Sequence, residues 1–427
     1  MENNEKMKKT DLTDNAEHIR IDADRLWRSL MEMARIGATD KGGVCRLTMT
    51  DIDREGRDLL TRWCREIGCS HTLDRAGNLF IRRAGAEDGL PAVMTGSHLD
   101  SQPTGGRFDG VYGVLAGLEV LRTLVDHGVT TRAPLELAVW NNEEGSRFSP
   151  PMMGSGAYAG VFALDWVYAL EDAEGVTVGE ELERLGWVGE GLGDRAVDAY
   201  FEAHIEQGPV LENERTTIGV VTGAQGQRWY ELDVYGQEAH AGPTPMPLRK
   251  DALVCTAGMI QAVHRLGLDH GPDACATCGL IRVIPGSRNV IPGHVWTSID
   301  TRHPDDRVLE DLEGALRGEF DAIAARHGCR YDLRVFWVSP ATPFDRDCVD
   351  LVRRGAGQGG YSHRDMISGA GHDAVYLARK VPTAMIFVPC EGGISHNESE
   401  NADPGDLAAG CQVLLDSMLA RAGVSKA

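Results

Sequence analysis

The chain has 427 residues, 42% of them apolar and 25% charged, the composition of an ordinary soluble globular protein long enough to bury a large core in two domains. Its 64 acidic and 43 basic residues leave a formal charge of −21, which argues against a nucleic-acid or anionic-membrane surface. One or two local arginines can still capture a small carboxylate inside such an acidic protein.

In chain order, Met1 to Glu17 is polar and lacks an apolar core and is expected to be a flexible tail, since a secretion signal needs an apolar stretch. Ala23 to Ile36 and Asp51 to Ile67 read as helices and Gly77 to Arg82 as a strand. Beyond Pro91 the pattern becomes strand, loop, helix. Ala92 to Thr95 is an apolar strand that leads to His98 and Asp100. Asp109 then stands at the start of a helix whose Val111, Val114, Leu115, Leu118 and Leu121 keep a helical period. The next strand, Leu135 to Trp140, runs into Glu143 and Glu144, and the strands Tyr200 to His204 and Thr383 to Val388 lead to His204 and His396. These side chains collect at or beyond the C-terminal ends of apolar strands, the edge where open α/β sheets bind ligands.

Between about 222 and 340 the pattern changes. Trp229 to Tyr235, Cys278 to Ile284, His294 to Thr301 and Tyr331 to Val338 read as strands, and Asp251 to Leu266 and Asp305 to His327 as helices. That β-α-β-β-α-β order is ferredoxin-like. A domain over 222–339 is therefore expected to interrupt a catalytic domain made of 18–221 and 340–427. No run approaches the roughly 18 apolar residues of a membrane span. Ten cysteines scattered from Cys45 to Cys411 fit reduced thiols in a cytoplasm.

The candidate ligands of a metal are His98, Asp109, Glu144, His204 and His396, with Glu143 beside them as a spare carboxylate. Imidazole and carboxylate suit divalent ions, and a carboxylate left unligated can move protons. Each has a plain alternative. A lone H-x-D more often serves a turn, a helix-opening Asp can be a cap, and paired glutamates can be a solvated loop. The ordered set, with Asp109 11 residues after His98 and Glu144 35 further on, favours ligation. Asp100 is expected to hold the second ring nitrogen of His98, as carboxylates do behind metal-bound histidines. Gly355-Ala-Gly-Gln-Gly-Gly360 fits a dinucleotide fingerprint but follows a helical stretch. Cys390 invites a thiol mechanism that packing explains as well.

The stretch Thr-Gly-Ser-His98-Leu-Asp-Ser-Gln-Pro-Thr-Gly-Gly-Arg-Phe-Asp109-Gly resembles the N-carbamoyl-amino-acid amidohydrolases. This group includes β-ureidopropionases and allantoate amidohydrolases, within the aminoacylase and carboxypeptidase-like metallohydrolases. Asn-Asn-Glu-Glu144-Gly-Ser-Arg-Phe, His204-Ile-Glu-Gln207-Gly-Pro, Gly-Gln-Glu-Ala-His240-Ala-Gly-Pro, Gly-Ser-Arg-Asn289-Val-Ile-Pro, Asp-Thr-Arg302, Ser-Gly-Ala-Gly371-His-Asp and Ser-His396 are similar to its further blocks. The resemblance implies an α/β, metallopeptidase-like catalytic domain with a central mixed sheet and an inserted ferredoxin-like α+β domain that mediates dimerisation. It implies two divalent ions per subunit, one on His98, Asp109 and His204 and one on Asp109, Glu144 and His396. Zinc is the first expectation for the metal, with manganese, cobalt and nickel also suited. Glu143 would be the general base, with Asp100 supporting catalysis. Gln207, His240, Asn289, Arg302 and the Gly371 backbone would touch a small ureido substrate. His240 would reach the neighbouring subunit's site. The expected reaction releases ammonia and carbon dioxide from an N-carbamoyl-L-amino acid or N-carbamoyl-β-alanine. Allantoate hydrolysis, a peptidase or aminoacylase of the wider group, and a non-catalytic binding protein on the same fold are the alternatives. For Arg302 the plain reading is a strand arginine paired with Asp300 or Asp305.

Overall fold

The apolar runs near Ala92, Leu135, Tyr200 and Thr383 become four adjacent parallel strands with almost no exposed side chain, as parallel strands covered on both faces require. The structure is a computed structural model and describes residues 19–425; the polar segment Met1 to Glu17 lies outside the described residues. The chain divides into two units, one of residues up to Gly223 together with those from Pro343 onward, the other Ala224–Thr342.

In the first unit, the helix Ala23–Met33 and the helix Asp51–Glu66 precede strands β1 (Ser70–Leu73), β2 (Leu79–Arg83) and β3 (Ala92–His98). The helix Val111–Asp126 follows, then β4 (Leu135–Trp140), β5 (Val197–Ile205) and β6 (Ile218–Ala224). β3 pairs in parallel with both β4 and β5, while β2 lies antiparallel on the outer side of β4. The chain therefore leaves β3 to one side to make β4 and crosses to the other side to make β5. Such a reversal opens a crevice at the C-terminal strand ends. The strand run of β3 extends to His98 itself, three residues further than its apolar stretch suggests, because Gly96-Ser97-His98 continues the ladder against Ala138-Val139-Trp140.

The second unit contains β7 (Gly226–Tyr235), β8 (Ala239–His240), the helix Ala252–Asp269, β9 (Cys275–Thr277), β10 (Ile281–Ile284), β11 (Val290–Ile291), β12 (His294–His303), the helix Asp306–His327 and β13 (Arg330–Ser339). Its main sheet is antiparallel in the order β10-β12-β7-β13, with β9 also on β12. Two helices cover one face around Tyr230, Leu232, Val234, Leu316 and Phe320, a core of its own. The strand expected over Cys278 to Ile284 is confined to Ile281–Ile284, and before it the Leu280 amide donates to Ser298 Oγ (3.1 Å) and not to a ladder carbonyl.

The first unit resumes with β14 (Thr342–Pro343), β15 (His363–Ser368) and β16 (Thr383–Val388), the last parallel to β5 and antiparallel to β6. The C-terminal helix Pro404–Ala422 and the helix Val111–Asp126 pack together on one face of the sheet. The short helices Met153–Tyr158 and Asp373–Leu377 lie against its strands and each other. Gly355 and Gly357 sit inside the helix Arg346–Gln358, preceded by its own earlier turns and not by a strand, so the fingerprint-like glycines form no dinucleotide loop. Among the described residues no helix is long and apolar enough to cross a membrane.

Candidate metal centre

His98 is the last residue of β3, Glu143 and Glu144 lie three and four residues beyond β4, and His204 is the penultimate residue of β5. Adjacent parallel strands thus bring their ends together. His396 lies eight residues past β16 with its backbone at φ 54°, and Asn142 (54°) and Gln207 (57°) share that left-handed conformation. Such backbones persist only where the surroundings impose them, and those of His396 and Gln207 turn their side chains back toward one spot.

Asp109 is the centre of that spot. The helix that follows has Gly110 at its N-cap position and takes no side-chain cap, so capping does not occupy the Asp109 carboxylate. Its Oδ1 is 3.2 Å from His204 Nε2 and 3.9 Å from His98 Nε2. Its Oδ2 is 3.3 Å from His396 Nε2, which is also 3.3 Å from Glu144 Oε2. One carboxylate thus divides the donors into two sets, His98 with His204 and Glu144 with His396. A four-coordinate ion with bonds of about 2.0–2.1 Å keeps its ligand atoms roughly 3.3–3.4 Å apart, close to most of these separations. Gly110 is obligatory here: its φ is +66°, and a Cβ would run into the His98 ring.

Hydrogen bonds set the histidine tautomers. His98 Nδ1 lies 2.9 Å from the Asp100 carbonyl and His204 Nδ1 2.9 Å from the Ile205 carbonyl. Each Nδ1 therefore carries the proton and each Nε2 keeps its lone pair, as a ligand must. The Gly110 N–H, 3.2 Å from His204 Nε2, is directed at that lone pair. Asp109 Oδ1 and His204 Nε2 are then two acceptors facing each other, an arrangement that needs a proton or a cation between them. Lacking a cation, burial lowers His204, but Asp109 more than offsets this and raises it to about 9. His98, where burial prevails over Asp109, is lowered to about 4.

Asp100 acts differently from the expectation. Its backbone carbonyl, not its carboxylate, holds the His98 ring, and Oδ1 is 3.8 Å from Nδ1. The carboxylate accepts the backbone N–H groups of Glu143 (3.2 Å) and Glu144 (3.1 Å). The β3 ladder ends at His98, the Asp100 carbonyl lies within reach of the ring, and the side chain serves the loop after β4.

The acids here repel one another. Burial first, then Asp373, Glu144, Asp100 and Asp109, holds the Glu143 carboxyl well above the usual range. Burial and Asp109 push Glu144 up to about 8. A pocket of buried carboxylates and imidazoles is the donor chemistry of a divalent cation site, since added positive charge is what lets the acids ionise together. Among the described residues, the acid and histidine groups with donor atoms within 4.8 Å of one another are His98-Asp109-His204, Asp109-Glu144-His396 and Glu202-His204-His372.

Several residues outside the expected set complete the cluster. Gln102 donates its backbone N–H (3.1 Å) and its side-chain amide (2.7 Å) to the two oxygens of Glu144. Ser395 Oγ lies 3.1 Å from Asp109 Oδ2 and Glu400 accepts from the Asp109 amide. The His372 ring centroid is 4.5 Å from that of His204. Gln102, Ser395 and His372 stood inside motif blocks; Glu400 had no signal beyond lying four residues after His396. The Cys390 thiol is pushed up to about 12 by burial, which removes it as a nucleophile.

Of the expected substrate contacts, Gln207 joins the cluster, donating to Asp109 Oδ2 and Ser395 Oγ, both at 3.0 Å. Gly371 lies one residue before buried His372, at the entry to the helix Asp373–Leu377. His240, Asn289 and Arg302 belong to the second unit. There His240 pairs with Val290, next to Asn289. The exposed His240 ring accepts the Gly242 N–H at Nδ1 (3.1 Å), which leaves its proton on Nε2. Arg302 makes a two-pronged pair with Asp300, Nε to Oδ1 at 3.2 Å and Nη2 to Oδ2 at 2.8 Å. The strand pairing is thus present, and a substrate carboxylate would have to share or displace Asp300.

The description "Peptidase family M20/M25/M40" fits residues 94–420. An N-carbamoyl-L-amino-acid amidohydrolase of Rhizobium meliloti is 46% identical over 410 residues, 96% of this chain and 98% of that protein. An allantoate amidohydrolase of Bacillus subtilis (strain 168) is 35% identical over 391 residues, 90% of this chain and 94% of that one. A crystal structure of an amidase of the hydantoinase/carbamoylase family from Burkholderia multivorans superposes with a TM-score of 0.90 and 57% identity, covering 95% of this chain and 98% of that one.

Proposed function

This chain belongs to peptidase family M20/M25/M40, and we propose from that premise that it is a metal-dependent amidohydrolase that removes the carbamoyl group of an N-carbamoyl amino acid. With water, the ureido group yields the free amino acid, carbon dioxide and ammonia. The carrying observation is the division of donors by Asp109, with Glu143 left beside them. His98, Asp109 and His204 would hold one divalent ion and Asp109, Glu144 and His396 the other; zinc fits this donor set, as do manganese, cobalt and nickel. Such a pair polarises a carbonyl and makes a nucleophile available at neutral pH.

Glu143 takes a proton from the attacking water and passes it to the departing nitrogen. Gln207 orients the ureido end. The Nε2–H of His240 donates to the oxyanion as charge builds, a contact stronger in the transition state than in the ground state. Arg302 and Asn289, with the Gly371 backbone, receive the substrate carboxylate. Ten free thiols fit a cytoplasmic enzyme. The test is ammonia release by chelated protein reconstituted separately with each metal, on carbamoyl-β-alanine, carbamoyl-L-amino acids and allantoate. Turnover of carbamoyl-L-amino acids that vanishes with chelation and returns with metal is expected. Turnover confined to allantoate would replace the substrate; full activity without metal would overturn the metal mechanism; metal binding without turnover on any substrate would leave a binding protein.

We also propose a homodimer in which His240 serves the neighbouring subunit's site. What supports a dimer is edge strand β10, which leaves Ile281 and Ile284 exposed beside exposed Leu280. Glu143→Gln and His240→Ala proteins, each nearly inactive, are mixed under conditions that exchange subunits. About a quarter of wild-type site activity should return, because half the dimers are mixed and each then holds one intact site. No recovery from verified heterodimers would place His240 in its own subunit's site or outside catalysis.

A further inference from the structure

Glu400 is 1% exposed and sits between His396 and the C-terminal helix. Its Oε1 accepts the backbone N–H groups of Phe108 (2.8 Å) and Asp109 (3.1 Å), from a segment 291 to 292 positions earlier in the chain. Its Oε2 lies 3.0 Å from Ser395 Oγ, which is itself 3.1 Å from Asp109 Oδ2. A buried carboxylate is retained only where donors satisfy it, and here they are the amide of the central acid, that of its neighbour, and a hydroxyl beside the same acid. Gly106 approaches so closely that any side chain there would collide with the Glu400 carboxylate.

We propose that Glu400 is a positioning residue: it fastens the Gly106–Asp109 segment to the loop bearing His396, and so aims the two oxygens of Asp109 at their separate donor sets. The role rests on the two-metal reading above. It is a matter of geometry, of an acceptor at the right reach, and not of added negative charge.

Two substitutions separate these causes. Glu400→Gln keeps the reach and an acceptor oxygen for both amides but removes the charge. Glu400→Asp keeps the charge and withdraws the carboxylate by one methylene. Metal content and affinity are measured by equilibrium dialysis of the full chain against zinc and manganese, with the melting temperature of the metal-free protein and the kcat and KM of the metal-saturated protein. Glu400→Gln should bind both ions within about threefold of wild type, while Glu400→Asp should bind them roughly 10–100-fold more weakly, the usual cost of losing a group behind a metal ligand. At saturating metal, KM should stay unchanged. Gly106→Ala, which displaces the carboxylate without removing it, should weaken binding as Glu400→Asp does, and stands in for it if that variant does not fold. Weak binding by the Gln variant, or wild-type binding by the Asp and Ala variants, would overturn the proposal. Wild-type protein that binds no metal and works in chelator would instead overturn the two-metal reading.

Discussion

Asp109→Ala should leave the protein with neither ion and with turnover at background. Each other donor serves one set, whereas Asp109 offers Oδ1 to His98 and His204 and Oδ2 to His396. Burial opposes its ionisation, yet His204 and His396 beside it hold its carboxyl well below the usual range. Removing it takes away the charge around which both sets are organised, and leaves His98 and His204 buried with no anion between them. His396→Ala, by contrast, should empty one site and spare the other. The measurement is metal per subunit after dialysis, by elemental analysis, beside turnover. An Asp109→Ala protein that still holds one tightly bound ion would show that the carboxylate does not bridge.

Glu143→Gln should keep both ions and lose roughly 10²–10⁴-fold in turnover, whereas Glu144→Gln should lose the ion shared with His396. The two neighbours differ in how they are held. Glu144 is gripped by both donors of Gln102 and faces His396 Nε2 at 3.3 Å, the fixed orientation of a ligand. The Glu143 side chain accepts no hydrogen bond among the described residues, although Asp100 anchors its backbone. Its Oε2 stands 3.5 Å from His98 Nε2. A carboxylate fixed at the backbone and unclaimed at its tip can take a proton and give it away. Both variants are isosteric, so metal content and kcat together separate the roles. If Glu143→Gln empties a site and Glu144→Gln spares both, the assignments are reversed.

Hydrophobic period alone determined much of this protein. Leu135 to Trp140 and Thr383 to Val388 are strands with the limits their apolar runs suggest, and the helix expected after Asp109 forms, buried on every side from Val111 to Leu121. Local motif blocks also marked His98, Asp109, Glu144, His204 and His396 as one set, because spacing along a loop is written in the chain. What the tertiary structure decided is which atom faces which. It made Asp109 a hub and not a cap, gave the His98 ring to the Asp100 carbonyl, paired Arg302 with Asp300, and brought Glu400 to the amides of Phe108 and Asp109. Periodicity reports which side of an element is buried, but a hydrogen bond is chosen at about 3 Å among groups hundreds of residues apart. That choice follows from strand order, from left-handed backbones such as that of His396, and from a glycine at 106 that lets a distant carboxylate come close.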